Sequence, residues 1–507
     1  MATRSATWVP PRPRSRWGDT MLADPVDDPM AGLMPSVAEF SGTFALLIFY
    51  GVISNYGGAG VTVANYCGPA ILSLVVGWAV VQMLRRNRHT LWTPLLWYRI
   101  GVVSYLGLGS LITLFLNDET RAMIATFFDF FPRDVLKFNM VVATFHAGVL
   151  VFTAGIVGPL RTRAATGNML GFITPSNVST QMIGFVFLAI GTGVNYLIIY
   201  PAVLGVMNFT PPQIIFQVGQ CAYVGYFLVS YWALKEGRTR WIWLVAALTV
   251  VDSIAGLLQL SKYMVMFPAL MLPIAYIYHR PSLRRIAIAV AFLLPTYFVI
   301  GDIVTDTRNE VSRGDGGPAV LSETVEALSA RAGGEDRSRA GQPDYQISWS
   351  RLSYVNAGAF AISQYDQGLP GDSLRDLSIV WVPRLIYPDK PIITDLAREF
   401  TFLANGNYNS STSPSIPAEA YWDFGWLGVG LFAALTAPVL ALWSIYNVLA
   451  LSREAWHLLV VVAMGLRVGS RIDGMLVIDI IGPISAAVVF HLILYFANRL
   501  LPPRVGA

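Results

Sequence analysis

Runs of about twenty apolar residues recur from residue 37 to residue 499, separated by short polar stretches. About 20 such residues in a helix cross the hydrocarbon core of a bilayer. The pattern predicts twelve spans, at 37–55, 66–84, 94–116, 138–160, 180–202, 212–234, 241–259, 264–278, 286–303, 424–446, 456–470 and 475–498. Each should be helical, because a membrane offers no water to unpaired backbone groups. The expected fold is therefore all-α: a polytopic membrane protein with about 12 transmembrane helices and one large extracytoplasmic loop between helices 9 and 10.

Lys and Arg set the direction. With the N-terminus inside, the inner segments hold Arg4, Arg12, Arg14 and Arg16, then Arg85, Arg86 and Arg88, then Arg161 and Arg163. Lys235, Arg238, Arg240, Arg280, Arg284, Arg285, Arg453, Arg499 and Arg504 continue the series, while the outer loops 56–65 and 203–211 have no Lys or Arg. The chain then divides into a polar cytoplasmic tail (1–35), helices 1–9 (36–303), the large outer loop (304–423), helices 10–12 (424–499) and a cytoplasmic tail (500–507). Residues 1–35 lack an apolar core, so no cleavable signal is expected there. The large loop counts 10 basic and 16 acidic residues. Residues 313–343 within it are Gly-, Ser- and charge-rich and read as mobile. From Tyr345 onward the loop is aromatic and should fold against the membrane domain as short helices.

Composition sharpens the class. Of 507 residues, 54% are hydrophobic and 13% charged, with a mean hydropathy of +0.54; soluble domains carry roughly 25% charged residues. A net charge of +4 is too even to suggest nucleic acid as a partner. Cys67 and Cys221 lie in or beside apolar runs without metal-ligand spacing and read as small buried residues. The sequons at Asn177, Asn208 and Asn409 are too common a pattern to carry an argument.

Three clusters could carry chemistry. The first, Trp381-Val-Pro-Arg-Leu-Ile-Tyr-Pro-Asp-Lys-Pro391, has prolines that impose a stiff, non-helical strut. Arg384 and Lys390 project from it, either as cations for a phosphate group or as solvated surface charges. The second is Ser413-Pro-Ser-Ile-Pro-Ala-Glu-Ala-Tyr-Trp-Asp-Phe-Gly425. Pro417 can open a helix there, which sets Glu419 and Asp423 on one face at the membrane surface. Glu419 is then a general base or ligand, with Tyr421 and Trp422 stacking on sugar. Alternatively the acids simply favour a helix N-terminus and the aromatics form an interface belt. The third is the outer turn Arg467-Val-Gly-Ser-Arg-Ile-Asp-Gly474, where Arg467 and Arg471 hold a ligand or Arg471 and Asp473 close the turn. If the loop folds back, Arg351, Arg384, Lys390, Arg467 and Arg471 could converge over one cavity. Ionisable residues also fall inside spans, at Arg99, His146, Asp252, Asp479 and His491; such groups mark a pathway or a paired charge. For Asp252, a structural pair with Arg99 and a proton-coupled role both fit.

The string Pro-Arg-Leu-Ile-Tyr-Pro-Asp-Lys-Pro, the later Pro-Ala-Glu-Ala-Tyr-Trp-Asp-Phe-Gly-Trp-Leu-Gly and the twelve spans with a large outer loop together resemble Wzy-type polymerases of O-antigen and exopolysaccharide repeat units. The sharp part covers about residues 381–430. The resemblance implies a glycosyltransferase of the bacterial inner membrane, with both termini cytoplasmic and its chemistry on the periplasmic face. It would move a growing glycan from undecaprenyl diphosphate onto an incoming lipid-linked repeat unit, without nucleotide sugar, divalent metal or other cofactor. A chain-length regulator and a flippase are the protein partners implied. Leaving-group charge would fall to Arg384 and Arg471, supported by Arg351, Lys390 and Arg467, because guanidinium binds phosphate bidentately. Glu419, then Asp473, would take the acceptor's proton. An O-antigen ligase, with the same donor but a lipid A–core acceptor, and a lipid-linked oligosaccharide flippase are the competing readings.

Overall fold

The structure is a computed structural model; it describes residues 28, 30, 32–112, 132–164, 173–207, 209, 211, 213–280, scattered positions between 282 and 329, 352–380, 382, 387, 395–406, 408 and 411–501. Every secondary-structure element among them is helical. Six stretches are long and apolar enough to cross a membrane: Val37–Arg86, Pro132–Thr162, Thr180–Val203, Thr239–Leu258, Ile416–Ser452 and Leu476–Leu500. Met264–His279 and Trp456–Ser470 are apolar but shorter. Among the described residues the architecture is all-α and compatible with a membrane protein.

Helix α1 (Val37–Ile53) starts at Ser36, whose Oγ accepts the Glu39 N–H at 3.1 Å, satisfying one orphan donor of the first turn. The chain turns through Ser54–Tyr56 into α2 (Gly57–Arg86). Gly42 lies against Val75 and Gly68 against Tyr50, so α1 and α2 pack antiparallel and the single apolar stretch Val37–Arg86 holds two helices. Helix α3 (Pro94–Gly101) is capped by Thr93 and continues through a π-helical stretch, Val102–Leu108. Then come α4 (Pro132–Ala164), α5 (Thr180–Val194), α6 (Gln213–Gly219), α7 (Cys221–Lys235), α8 (Thr239–Leu258) and α9 (Lys262–His279). Gly184 and Gly191 of α5 sit against Leu228 and Ala222 of α7, again antiparallel.

Arg99 does not pair with Asp252. Its Nε and Nη2 donate to Glu39 Oε1 and Oε2 at 2.6 and 2.9 Å. His146 Nε2 lies 3.6 Å from the same carboxylate, and Tyr98 Oη meets His146 Nδ1 at 3.1 Å. All four side chains are buried. The two-pronged geometry gives Arg99 the compensation that a buried cation requires. Asp252 instead accepts from the Tyr200 and Tyr226 hydroxyls at 3.0 and 2.7 Å. Two phenol donors solvate that carboxylate in place of a cation.

The rest of the chain is built from short and broken helices. Residues of the long inter-span segment form α10 (Val355–Asp366), α11 (Leu377–Val380) and α12 (Asp395–Asn405). Short helices were expected there, but α10 goes further: Val355–Ser363 is buried throughout. Helix α13 (Ile416–Ser452) breaks at Phe424 and Gly425, the latter at φ 60 and ψ −145. The expected start of the tenth span, residue 424, is this break; the helix itself begins earlier. Helix α14 (Leu459–Ser470) has 12 residues and rises about 18 Å, well short of a bilayer core of about 30 Å. A π-helical stretch, Leu476–Ile481, then leads into α15 (Gly482–Leu500). Gly469 packs on Pro94 and Ile472 on Gly101, the first and last residues of α3. The turn after α14 is therefore recessed within the bundle.

Candidate functional site

Three helix starts meet at that recessed turn. Ile416 N–H, opening α13, donates to Ile472 O at 3.1 Å. Tyr354, immediately before α10, donates its hydroxyl to Asp473 Oδ2 at 2.9 Å. Its ring packs edge-on to Tyr105, with centroids 5.7 Å apart. Leu476 N–H, opening the π-helical stretch, donates to Glu419 Oε2 at 2.8 Å. Unwound backbone inside a membrane bundle is tolerated where protein buries it or where it lines a cavity.

Within the turn, Arg471 stands between two acids. Its Nε donates to Asp479 Oδ1 at 3.0 Å, and its Nη1 lies 3.5 Å from Asp473 Oδ2. The guanidinium side chain stays 43% exposed while Asp473 is 7% exposed, so the cation faces outward and the acid lies behind it. Asp479 Oδ2 also takes the Met475 N–H at 3.1 Å. Burial works against the Arg471 charge, but Asp479 and Asp473 outweigh it and hold the guanidinium protonated beyond its ordinary range. Burial pushes the Asp473 carboxyl up, opposed by Arg471 and by the Tyr354 hydrogen bond. Burial and the neighbouring Asp473 push the Tyr354 phenol up, so it remains a donor.

Glu419 and Asp423 share one face of the first segment of α13, as their spacing requires, but neither is at the surface. Glu419 is 0% exposed. Asp423 accepts from Ser373 N–H and from Ser373 Oγ, the latter at 2.5 Å. Glu419 Oε1, Asp473 Oδ1 and Ser415 Oγ are buried without a hydrogen-bond partner among the described residues. Ser415 also has φ 77, a backbone region uncommon outside glycine and often kept for a functional reason. Such orphaned polar atoms are rare in native structures and call for a ligand, ion or water.

Beside this seam lies a cavity of about 460 Å³. Ser373 and Met475 line it, so it borders both the Asp423 contact and the Arg471–Asp473 turn. Tyr421 is buried away from it: its hydroxyl donates to Asp366 Oδ1 at 3.0 Å, and Lys137 lies over its ring at 4.8 Å while binding Asp366 at 2.6 Å. Trp422 donates Nε1–H to Leu369 O at 3.2 Å. Tyr421 presents no free ring at a surface, while Trp422, though largely buried, forms part of the cavity wall.

The structure brings Glu419, Tyr421, Arg471 and Asp473 onto neighbouring elements. Arg467 is exposed on α14, one turn before Arg471. Arg351, Arg384 and Lys390 lie outside the described residues, as does nearly all of 313–343. Sequence reasoning missed Ser373 and Lys137 as partners. The Pro-Gly-Asp-Ser turn at 370–373 signals a loop but not its docking on Asp423, and Lys137 reads as a charge flanking a span. Among the described residues no group of three or more His, Cys, Asp or Glu is arranged to hold a metal ion. Compared with known family models, curated proteins and solved structures, the chain matches none.

Proposed function

We propose that the chain is a multi-pass glycosyltransferase of the bacterial inner membrane. It has twelve spans, cytoplasmic termini and residues 304–423 on the periplasmic side. It polymerises oligosaccharide repeat units by transferring the growing glycan from undecaprenyl diphosphate to the next lipid-linked unit. The observation that carries this reading is the Arg471–Asp473 pair: an outward-facing guanidinium, held charged by two acids, with a buried carboxylate behind it in a recessed turn.

The roles follow from charge. An acceptor hydroxyl attacks the anomeric carbon, the carbon–oxygen bond to the diphosphate breaks, and the anomeric configuration inverts. Arg471 meets the charge developing on the diphosphate, with Arg384, Arg351, Lys390 and Arg467 as further cations. Asp473 takes the hydroxyl proton; Tyr354 fixes its rotamer. Glu419, fully buried, is a positioning residue that pins the turn through Leu476 N–H.

The test is a polymerisation assay with purified protein and a lipid-diphosphate-linked repeat unit. Arg471→Ala should lower the rate by about 10²–10³-fold, as loss of a preorganised electrostatic donor does. Asp473→Asn should cost about 10²–10⁴-fold, the range of a general base. Near-normal ladders from the Arg471→Ala, Asp473→Asn double variant would sink the assignment. Absence of a ladder from folded wild-type protein would favour the ligase, tested next with lipid A–core acceptor.

A further inference from the structure

The cavity beside the Arg471 turn has a lining that the transfer chemistry does not use. Its walls carry Asp372, Arg375, Glu399, Phe402, Leu403 and Trp422. Its volume of about 460 Å³ falls within the ~300–1,000 Å³ of small-molecule sites. Arg375 Nη2 donates to Glu399 Oε1 at 2.7 Å, and both side chains are 41% exposed. Each therefore keeps part of its hydrogen-bonding capacity toward solvent. Phe402 and Leu403, on the same helix as Glu399, are 54% and 46% exposed.

Planar charged side chains beside an exposed ring fit one ligand chemistry. A pyranose offers hydroxyls that pair with carboxylate and guanidinium edges, and an apolar C–H face that lies on an aromatic ring. Asp372 and Glu399 outnumber Arg375 in the lining, and like charge disfavours an anionic ligand. We infer that this cavity is a binding subsite for an uncharged sugar residue of the glycan, held by Asp372, Arg375 and Glu399 with its apolar face on Phe402. The inference rests on the polymerase reading for the identity of the glycan, and it places that sugar next to the reacting centre: Met475, in the cavity wall, is two residues from Asp473.

The test separates binding from catalysis. Full-length protein in lipid nanodiscs, free of sugar-headed detergent, is examined by saturation-transfer NMR against uncharged disaccharides and matched uronate-containing ones. Saturation should reach the uncharged sugars preferentially. Asp372→Asn with Glu399→Gln should weaken binding at least about tenfold, the scale of one hydrogen bond to a charged group, as should Phe402→Ala. Thermal melts of the variants confirm that they fold. Arg471→Ala should lower polymerisation by about 10²–10³-fold and leave sugar binding intact. Equal transfer in wild type and in the variants, transfer only to uronates, or none at all would overturn the subsite, even for a protein that polymerises. A protein that binds the sugars as expected but makes no polymer overturns the polymerase reading alone.

Discussion

At Asp473 burial and two neighbours pull on one proton. Burial favours the neutral acid, while Arg471 and the Tyr354 hydroxyl favour the carboxylate, and burial wins. A general base acts only when ionised, so activity should fall as pH drops through this raised pKa, above the ordinary Asp value of about 3.9. Tyr354→Phe removes a hydrogen bond to the charged form at 2.9 Å without removing the ring that packs on Tyr105. The acidic limb of kcat/KM should therefore move to higher pH in Tyr354→Phe, since loss of a donor to the carboxylate raises its pKa further. An unmoved limb would mean that Asp473 is not the group titrating. Glu419 offers the contrast. Its contact is a backbone N–H of the turn, so Glu419→Gln, which keeps an acceptor, should retain far more activity than Glu419→Ala.

At the scale of elements, the ion pair between Glu39 of α1 and Arg99 of α3 fixes how the first hairpin sits on the helix that supports the recessed turn. Both side chains are 1% exposed, and removing one partner of such a pair strands the other charge, at about 3–5 kcal/mol. Glu39→Met alone should lower the melting temperature in detergent sharply, and adding Arg99→Met should restore much of it. A double variant as unstable as the single one would show that packing, and not charge compensation, sets the loss. The same pair marks the limit of the sequence. Apolar runs located the six stretches long and apolar enough to cross a membrane, because hydrophobic length is a local property, and Pro417 announced the start of α13. The partner of Arg99 lies 60 residues away on α1, and nothing local in the sequence tells Glu39 from Asp252 as its acid. Helix α10, Val-Asn-Ala-Gly-Ala-Phe-Ala-Ile-Ser-Gln-Tyr-Asp, is too short and too rich in small residues to read as part of the core. Its burial depends on α4 and α13 closing around it, with Gly358 against Phe138. Glu419 and Asp473 were legible as candidate acids, but their depth was not. That follows from the break at Gly425 and the early end of α14, which together draw the turn inward.

For the whole molecule, the positive-inside bias and the site make a joint demand. If residues 304–423 face the periplasm, the cavity around Leu403 and the Arg471 turn open to the side where lipid-linked repeat units are joined, and the α7–α8 loop at Glu236 faces the cytoplasm. Both Leu403 and Glu236 are exposed, so each accepts a cysteine without disturbing the core. Cys67 is exposed and Cys221 buried, which makes Cys67→Ser a suitable background. In cells whose outer membrane has been permeabilised, a membrane-impermeant maleimide should label Leu403→Cys at once and Glu236→Cys only after lysis. The two positions are separated in the chain by α8, α9 and one further expected span at 286–303, an odd number of crossings, so opposite labelling is what twelve spans require. Labelling of both from the same side would remove one crossing and move a terminus across the membrane. It would leave the Arg471–Asp473 geometry untouched while taking away the periplasmic polymerisation that the geometry is proposed to serve.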